Sequence, residues 1–158
     1  MTSSWPDSAV KLIASVRVMT IATFSSDKGP WSAPVYYVFR KNFFYFFSNF
    51  RSRHISDTIM QIDKSEACPM ASASIFSDST CFHNIKGLQM SGKIEPVPKQ
   101  KEAFAAAVDY IKKFGINVGR QNALKFIVQH FHASFYRFIP ETVFFMDNSS
   151  DFGFRQKL

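Results

Sequence analysis

The stretch that most limits how this chain can fold is Phe46 to Ile55, FFSNFRSRHI. An apolar run ends in a hydroxyl residue, Ser48, and a turn residue, Asn49. A basic segment, Arg51-Ser52-Arg53-His54, then opens a helical pattern at Ile55, Ile59 and Ile62. Strand, polar turn and helix N-terminus must therefore follow one another with no room for a long loop. The first N–H groups of a helix lack partners within it and carry the positive end of the helix dipole. Arginine there is electrostatically unfavourable unless an anion is close by. The segment reads as a trap for a phosphate dianion, or equally as solvated charge at a helix start.

Strand patterns dominate on either side. Asp7 or Ser8 is expected to cap a short helix with its apolar face at Leu12, Ile13 and Val16. Residues 18–24 are rich in β-branched side chains and stop at the turn cluster 25–30, which makes 31–39 their hairpin partner. Pro34 removes a ladder donor and predicts that this second strand is at an edge or bulged. After the turn Arg40-Lys41-Asn42, residues 43–48 form a strand leading to the basic turn, and a helix spans about 52–62. Further strands are predicted at 70–76 and 88–97. A helix with Phe104, Ala107, Val108 and Ile111 on one face stops at Gly115, and a shorter one over 120–128 rests on Leu124, Ile127 and Val128. Residues 134–139 and 141–146 read as closing strands split by Pro140. Helices stand between blocks of strands and not after each one, which argues for an α+β domain occupying residues 1–158.

Four parts of the chain carry a family resemblance. Phe47-Ser48-Asn49-Phe50-x-Ser52-Arg53-His54 is similar to the FMN-phosphate segment of pyridoxamine 5'-phosphate oxidase and its FMN-binding split-barrel relatives. Trp31-Ser32-Ala33-Pro34-Val35-Tyr36-Tyr37-Val38-Phe39 and Gly92-Lys93-Ile94-Glu95 extend the match, and Asp147-Asn148 with Gly153-Phe154-Arg155 resemble a small branch of uncharacterised bacterial proteins. The resemblance implies a six-stranded antiparallel split β-barrel with flanking helices. It implies FMN as cofactor, with Ser52, Arg53 and His54 on the phosphate and Ser48 beside it. The backbone around Val35 and Tyr36 would meet the isoalloxazine edge, Gln89 would stand near the ring, and Asn148 and Phe152 of a second subunit would close the site of a homodimer. Departures are visible: His54 stands where the oxidase has Lys, Ala33 where it has Arg and Val38 where it has Lys. The chain ends at Arg155-Gln156-Lys157-Leu158 without the oxidase's Arg-x-His segment. Pyridoxamine phosphate is therefore expected to be a poor substrate. The expected activity is oxidation or reduction of another small molecule, the alternative being a flavin or haem carrier or sensor of the same fold.

Composition agrees and excludes some classes. The 19 Phe residues, in a chain without a long apolar run, suggest a ring-built core and subunit interface. A net charge of +7 attracts anions of any kind, but no nucleic-acid-binding motif accompanies it, so nucleic acid is not an expected partner. Lys112 and Lys113 fall where a helix C-terminus favours cations. Cys68 and Cys81 lack metal or redox spacing and are expected to be reduced, and no signal or membrane-spanning segment is recognisable, so a cytoplasmic protein is expected. Three motifs are decoys. Gly87-x-x-x-x-Gly92-Lys93 has Ile94 where a phosphate loop needs a hydroxyl, and Asp151-Phe152-Gly153 has no catalytic loop before it. His130 and His132, predicted on one side of a strand, have no third metal ligand near them in sequence, so no metal is expected.

Overall fold

Alternation along the strands decides which side of the sheet turns inward, and this organises the molecule. The computed structural model describes residues 5–62 and 70–158. In chain order these are α1 (Asp7–Ser15), β1 (Val18–Ser25), β2 (Gly29–Tyr36), β3 (Val38–Arg40), β4 (Phe43–Ser48), α2 (Arg53–Ile62), β5 (Met70–Phe76), β6 (Lys86–Pro96), α3 (Gln100–Lys113), α4 (Ala123–Phe131), β7 (Ser134–Asp147) and β8 (Arg155–Lys157). All strand pairs are antiparallel, in the order β2-β1-β5-β6-β7-β4-β3, with β8 added on β7. The α+β class is as expected, an antiparallel sheet curled into a half-barrel with helices around it.

Among the described residues the sheet has eight strands where six were expected. The predicted strand over 31–39 is cut at Tyr37, whose N–H reaches Arg17 O at 3.4 Å and whose buried hydroxyl donates to Ile13 O at 2.9 Å. That anchor takes the chain off β1 and onto β4 through a tight hairpin, with Lys41 at φ 50° and Asn42 at φ 65° as its two central residues. β8 is the other addition. Pro34 lies on β2 at one end of the strand order, as its missing donor requires.

Two apolar clusters result. Met19, Ile21, Val35, Phe44, Phe46, Ile75, Leu88, Ile94, Phe138 and Phe145 fill the barrel, together with Ala9, Leu12 and Ile13 of α1. Val38, Tyr45 and Phe135 pack against Ala107, Tyr110 and Ile111 of α3 and Ile127 of α4. β4 serves both, which is why Phe43-Phe44-Tyr45-Phe46-Phe47 is apolar on both faces and does not alternate. β6 and β7 stay paired past a bulge at Ser91/Gly92. A side chain at Gly92 would place its Cβ 2.0 Å from Ile139 O, so only glycine fits there.

Four local expectations are corrected. The N-cap of α1 is Pro6 with no side-chain cap bond, and Asp7 sits in the first turn. Pro140 does not divide the closing strand, because the bulge absorbs it. The later helix is a 3-10 turn at Arg120–Asn122 followed by α4, which runs on to Phe131. His130 is therefore on a helix and His132 caps it in the left-handed conformation at φ 47°, so the two do not share a strand face. Cys68 and the side chains of Ile59 and Ile62 lie outside the described residues. Among the described residues no helix is long and apolar enough to cross a membrane, and no cluster of metal-ligating side chains is present.

Candidate functional site

The turn before α2 is built by Asn49. Its Oδ1 accepts the Arg51 N–H at 2.9 Å and its carbonyl accepts the Ser52 N–H at 3.0 Å. Ser52 O then receives the N–H groups of Ile55 and Ser56, both at 2.9 Å. The amides of Arg53 and His54, between these, have no acceptor among the described residues. A helix start with two free amides is an anion-binding feature of the backbone itself.

Arg53 is held from three directions. Nε donates to Asp57 Oδ2 at 3.2 Å, and Nη2 donates to Lys28 O at 2.6 Å and Gly29 O at 3.3 Å. The guanidinium lies over the Trp31 ring, 4.6 Å from its centroid. Asp57 is almost wholly buried, with Lys28 Nζ 3.6 Å from its other oxygen. The anion that an arginine at a helix start needs is thus supplied partly from within, by the carboxylate one turn on. Nη1 has no hydrogen-bond acceptor among the described residues. The result is a cation fixed in place with an edge to spare.

His54 and Ser48 meet, facing inward. His54 Nε2 is 3.1 Å from Ser48 Oγ, both residues are buried, and the ring lies beside Phe46. Burial lowers the imidazole pKa from 6.5, against the opposing influence of Asp57. At neutral pH this is an uncharged ring that braces the turn, and the fixed positive charge of the segment is that of Arg53.

The remaining residues fall into two groups. Val35 points into the barrel core, so only its backbone can face a ligand, while Tyr36 is exposed and its carbonyl accepts the Tyr110 hydroxyl. The ladders place Pro34, Thr20, Ser74, Gln89 and Phe144 in one row across the outward sheet face, with Tyr36 two residues from Pro34 on the same face. Asn148 is buried, donating to Phe82 O at 2.9 Å and accepting the Gly153 N–H at 3.2 Å, and exposed Phe152 meets Phe82 edge to face. Arg53 sits against the turn after β1, whereas Asn148 lies beyond the first residues of β6, which the ladders align with the beginning of β1. Those ends are roughly 23 Å apart along the strand. One chain therefore brings Ser48, Ser52, Arg53 and His54 together, and leaves Asn148 and Phe152 at the far end of the sheet. Asp57 is the residue that the sequence reading missed, although its spacing of four from Arg53 on a helix is a recognisable pairing signal.

Residues 6–147 match a family model described as pyridoxamine 5'-phosphate oxidase. No curated protein sequence matches the chain. Among solved structures, a conserved hypothetical protein of Mycobacterium tuberculosis superposes with a TM-score of 0.74 at 14% identity, covering 92% of this chain and 86% of the other. HutZ, the haem storage protein of Vibrio cholerae, gives 0.65 at 15% identity over 87% of this chain and 91% of its own. An FAD-binding protein of Mesorhizobium loti gives 0.60 at 19% identity over 89% and 92%. These likenesses are of fold.

Proposed function

Because the chain belongs to the pyridoxamine 5'-phosphate oxidase family, we propose that it binds FMN and works as a flavin-dependent oxidoreductase on a small molecule other than pyridoxamine phosphate. The start of α2 carries this reading: two free amides, the Ser52 hydroxyl and an immobilised guanidinium fit a phosphate dianion. Bound there, FMN would supply the electron transfer. The work of the chain is to hold the phosphate at Ser52 and Arg53, to keep His54 neutral behind them, and to offer the edge backbone of β2 near Tyr36 to the ring.

The reading requires a second copy. Val18, Phe24, Tyr36, Phe76 and Phe144 are exposed on the outward sheet face around Gln89, and a homodimer over that face would cover them. It would also carry Asn148 and Phe152 of one subunit towards Arg53 of the other. A second reading, haem carriage, draws support from exposed His83, which is flanked by Phe82 at a ring distance of 4.2 Å.

The visible spectrum of protein purified without added cofactor separates flavin from haem. Arg53→Ala should then weaken FMN binding about 10- to 150-fold while leaving riboflavin, which lacks the phosphate, nearly unchanged, with Arg120→Ala as the charge-matched control. Equal losses for both ligands, or none for either, would remove the phosphate role from this segment.

A further inference from the structure

At the opposite end of β4 from Ser48 lies a cavity of about 350 Å³ lined by Arg40, Lys41, Lys99, Lys101, Glu102 and Arg137, with Phe43 and Tyr45 as an aromatic wall. Its two arginines are already matched. Arg40 pairs with Asp109 at 3.0 Å, and Arg137 spans Glu95 at 3.0 Å and Glu102 at 2.8 Å while its guanidinium rests over Phe43. Tyr45 adds a third tie, donating to Glu102 at 2.7 Å. These bonds engage Asp109, Glu95 and Glu102 and fix the floor of the cavity. The three lysines remain: none makes an ion pair among the described residues.

Glu102, in the same first turn as Lys101, is near enough to Lys99 for the lysine to favour the ionised carboxylate, but that carboxylate is already bound by Tyr45 and Arg137. Lys99 is the N-cap of α3 and Lys101 is in its first turn, where the helix dipole disfavours cations, and no side chain caps this helix. Lys41 approaches from the β3–β4 hairpin, held by a left-handed backbone at φ 50°. Nε of Arg137 is buried with no hydrogen-bond partner among the described residues. Cations thus converge from a hairpin, a helix start and β7 on one concavity, far from Arg53.

We propose that this cavity is a second anion site, distinct from the start of α2, that takes a diphosphate group, either free or as the tail of a nucleotide. A diphosphate carries charge at two separated centres and so meets Lys41 on one side and Lys99 with Lys101 on the other, which a single phosphate cannot do as well. Arg137, tied down by two carboxylates, sets the floor against which it rests.

The test is titration of the full-length protein at low salt with inorganic diphosphate, ADP and orthophosphate, read by backbone amide shifts and by calorimetry. Diphosphate should shift the amides of Lys41, Gln100, Lys101 and Glu102. Lys41→Gln/Lys99→Gln/Lys101→Gln, all at exposed positions, should weaken it at least about tenfold. Arg53→Ala should change it less than about twofold, so failure here and failure of the flavin reading are distinguishable. Equal affinity for diphosphate and ADP identifies the free group as sufficient, and tighter ADP identifies a nucleotide. The proposal is overturned if saturating diphosphate leaves those amides unmoved, if the triple variant binds as wild type does, if orthophosphate binds as tightly, or if Arg53→Ala removes the binding.

Discussion

The two ends of β4 each carry a basic region, and the two are built differently. At the Ser48 end, Arg53 is bound by a buried carboxylate and two carbonyls, and all its partners lie within residues 28–57. At the Phe43 end, roughly 17 Å away along the strand, the arginines are paired and three lysines are not. That second group draws on residues from Arg40 to Arg137. The first end is a preorganised cation, whose geometry is fixed before a ligand arrives. The second keeps long flexible cations around a rigid floor, so its ligand would do the organising. Positive charge alone does not distinguish them, but the partners of that charge do.

The largest expected effect tests the first end. Arg53→Ala leaves buried Asp57 with Lys28 at 3.6 Å as its one cation among the described residues, and should destabilise the flavin-free protein by about 2 to 3 kcal/mol in urea unfolding. The sequence alone suggests the reverse, since removing a cation from a helix start relieves the dipole. An unchanged midpoint would mean that Asp57 needs no partner and that the contrast between the ends is false. The next effect sharpens the second end. Tyr45→Phe removes the hydroxyl that holds Glu102 and should cost about 1 kcal/mol. Burial, and after it the same hydrogen bond, push the Tyr45 pKa up to about 12, so loss of one high-pH step in a spectrophotometric tyrosine titration reports the same residue.

The smallest effect separates the ends by pH. Burial lowers the His54 pKa below 6.5 in the folded protein. Between the folded and unfolded values the unfolded chain binds more protons, so stability is full above about 6.5 and falls as pH drops below it. Glu102 and Asp147, with pKa values held below 4.5 and 3.8, contribute their losses at lower pH. His54→Gln should flatten the decline between pH 7 and 5 in thermal melts, while Tyr45→Phe should leave its slope intact. A slope that survives in His54→Gln would place the titrating group elsewhere.

Much of this fold was legible because each signal was local. The run FFYFF, the Arg40-Lys41-Asn42 turn, the α3 periodicity ending near Gly115 and the strand-turn-helix around Asn49 all depend on neighbours in the chain. The errors arose where distant contacts decide. Tyr37 ends β2 because Ile13 and Arg17 reach it, and Pro140 stays within a strand because Gly92 on β6 makes room. His130 and His132 lie at the end of a helix and not on the expected strand, as the spacing Ala123, Ile127 and Phe131 shows by running on to the cap. The Ser52-Arg53 segment can be read directly, but the sequence analysis does not single out Asp57, whose importance depends on its burial and on Lys28 beside it. Lys99 and Lys101 were visible as a pair, yet nothing in the sequence joins them to Lys41 or Arg137.

Gly92 and the residue it accommodates have a consequence of another kind. Pro140 stands opposite Gly92 and Thr142 opposite Ser91, which leaves Glu141 without a counterpart on β6. Before that point the even-numbered residues Tyr136 and Phe138 face the barrel, and after it the odd-numbered Val143 and Phe145 do. Glu141 acts as a one-letter insertion in a reading frame, and its side chain marks the place by pairing with Lys93 at 2.8 Å. From Thr142 onward the inward set falls on odd numbers because of that insertion, while each residue keeps its regular partner on β6. Deleting Glu141 would remove the insertion and the bulge together and leave Val143 and Phe145 inside, whereas one residue added between Thr142 and Val143 would leave each later residue chemically intact and shift its phase, so that Phe144 claimed the interior and Phe145 was read out onto the surface.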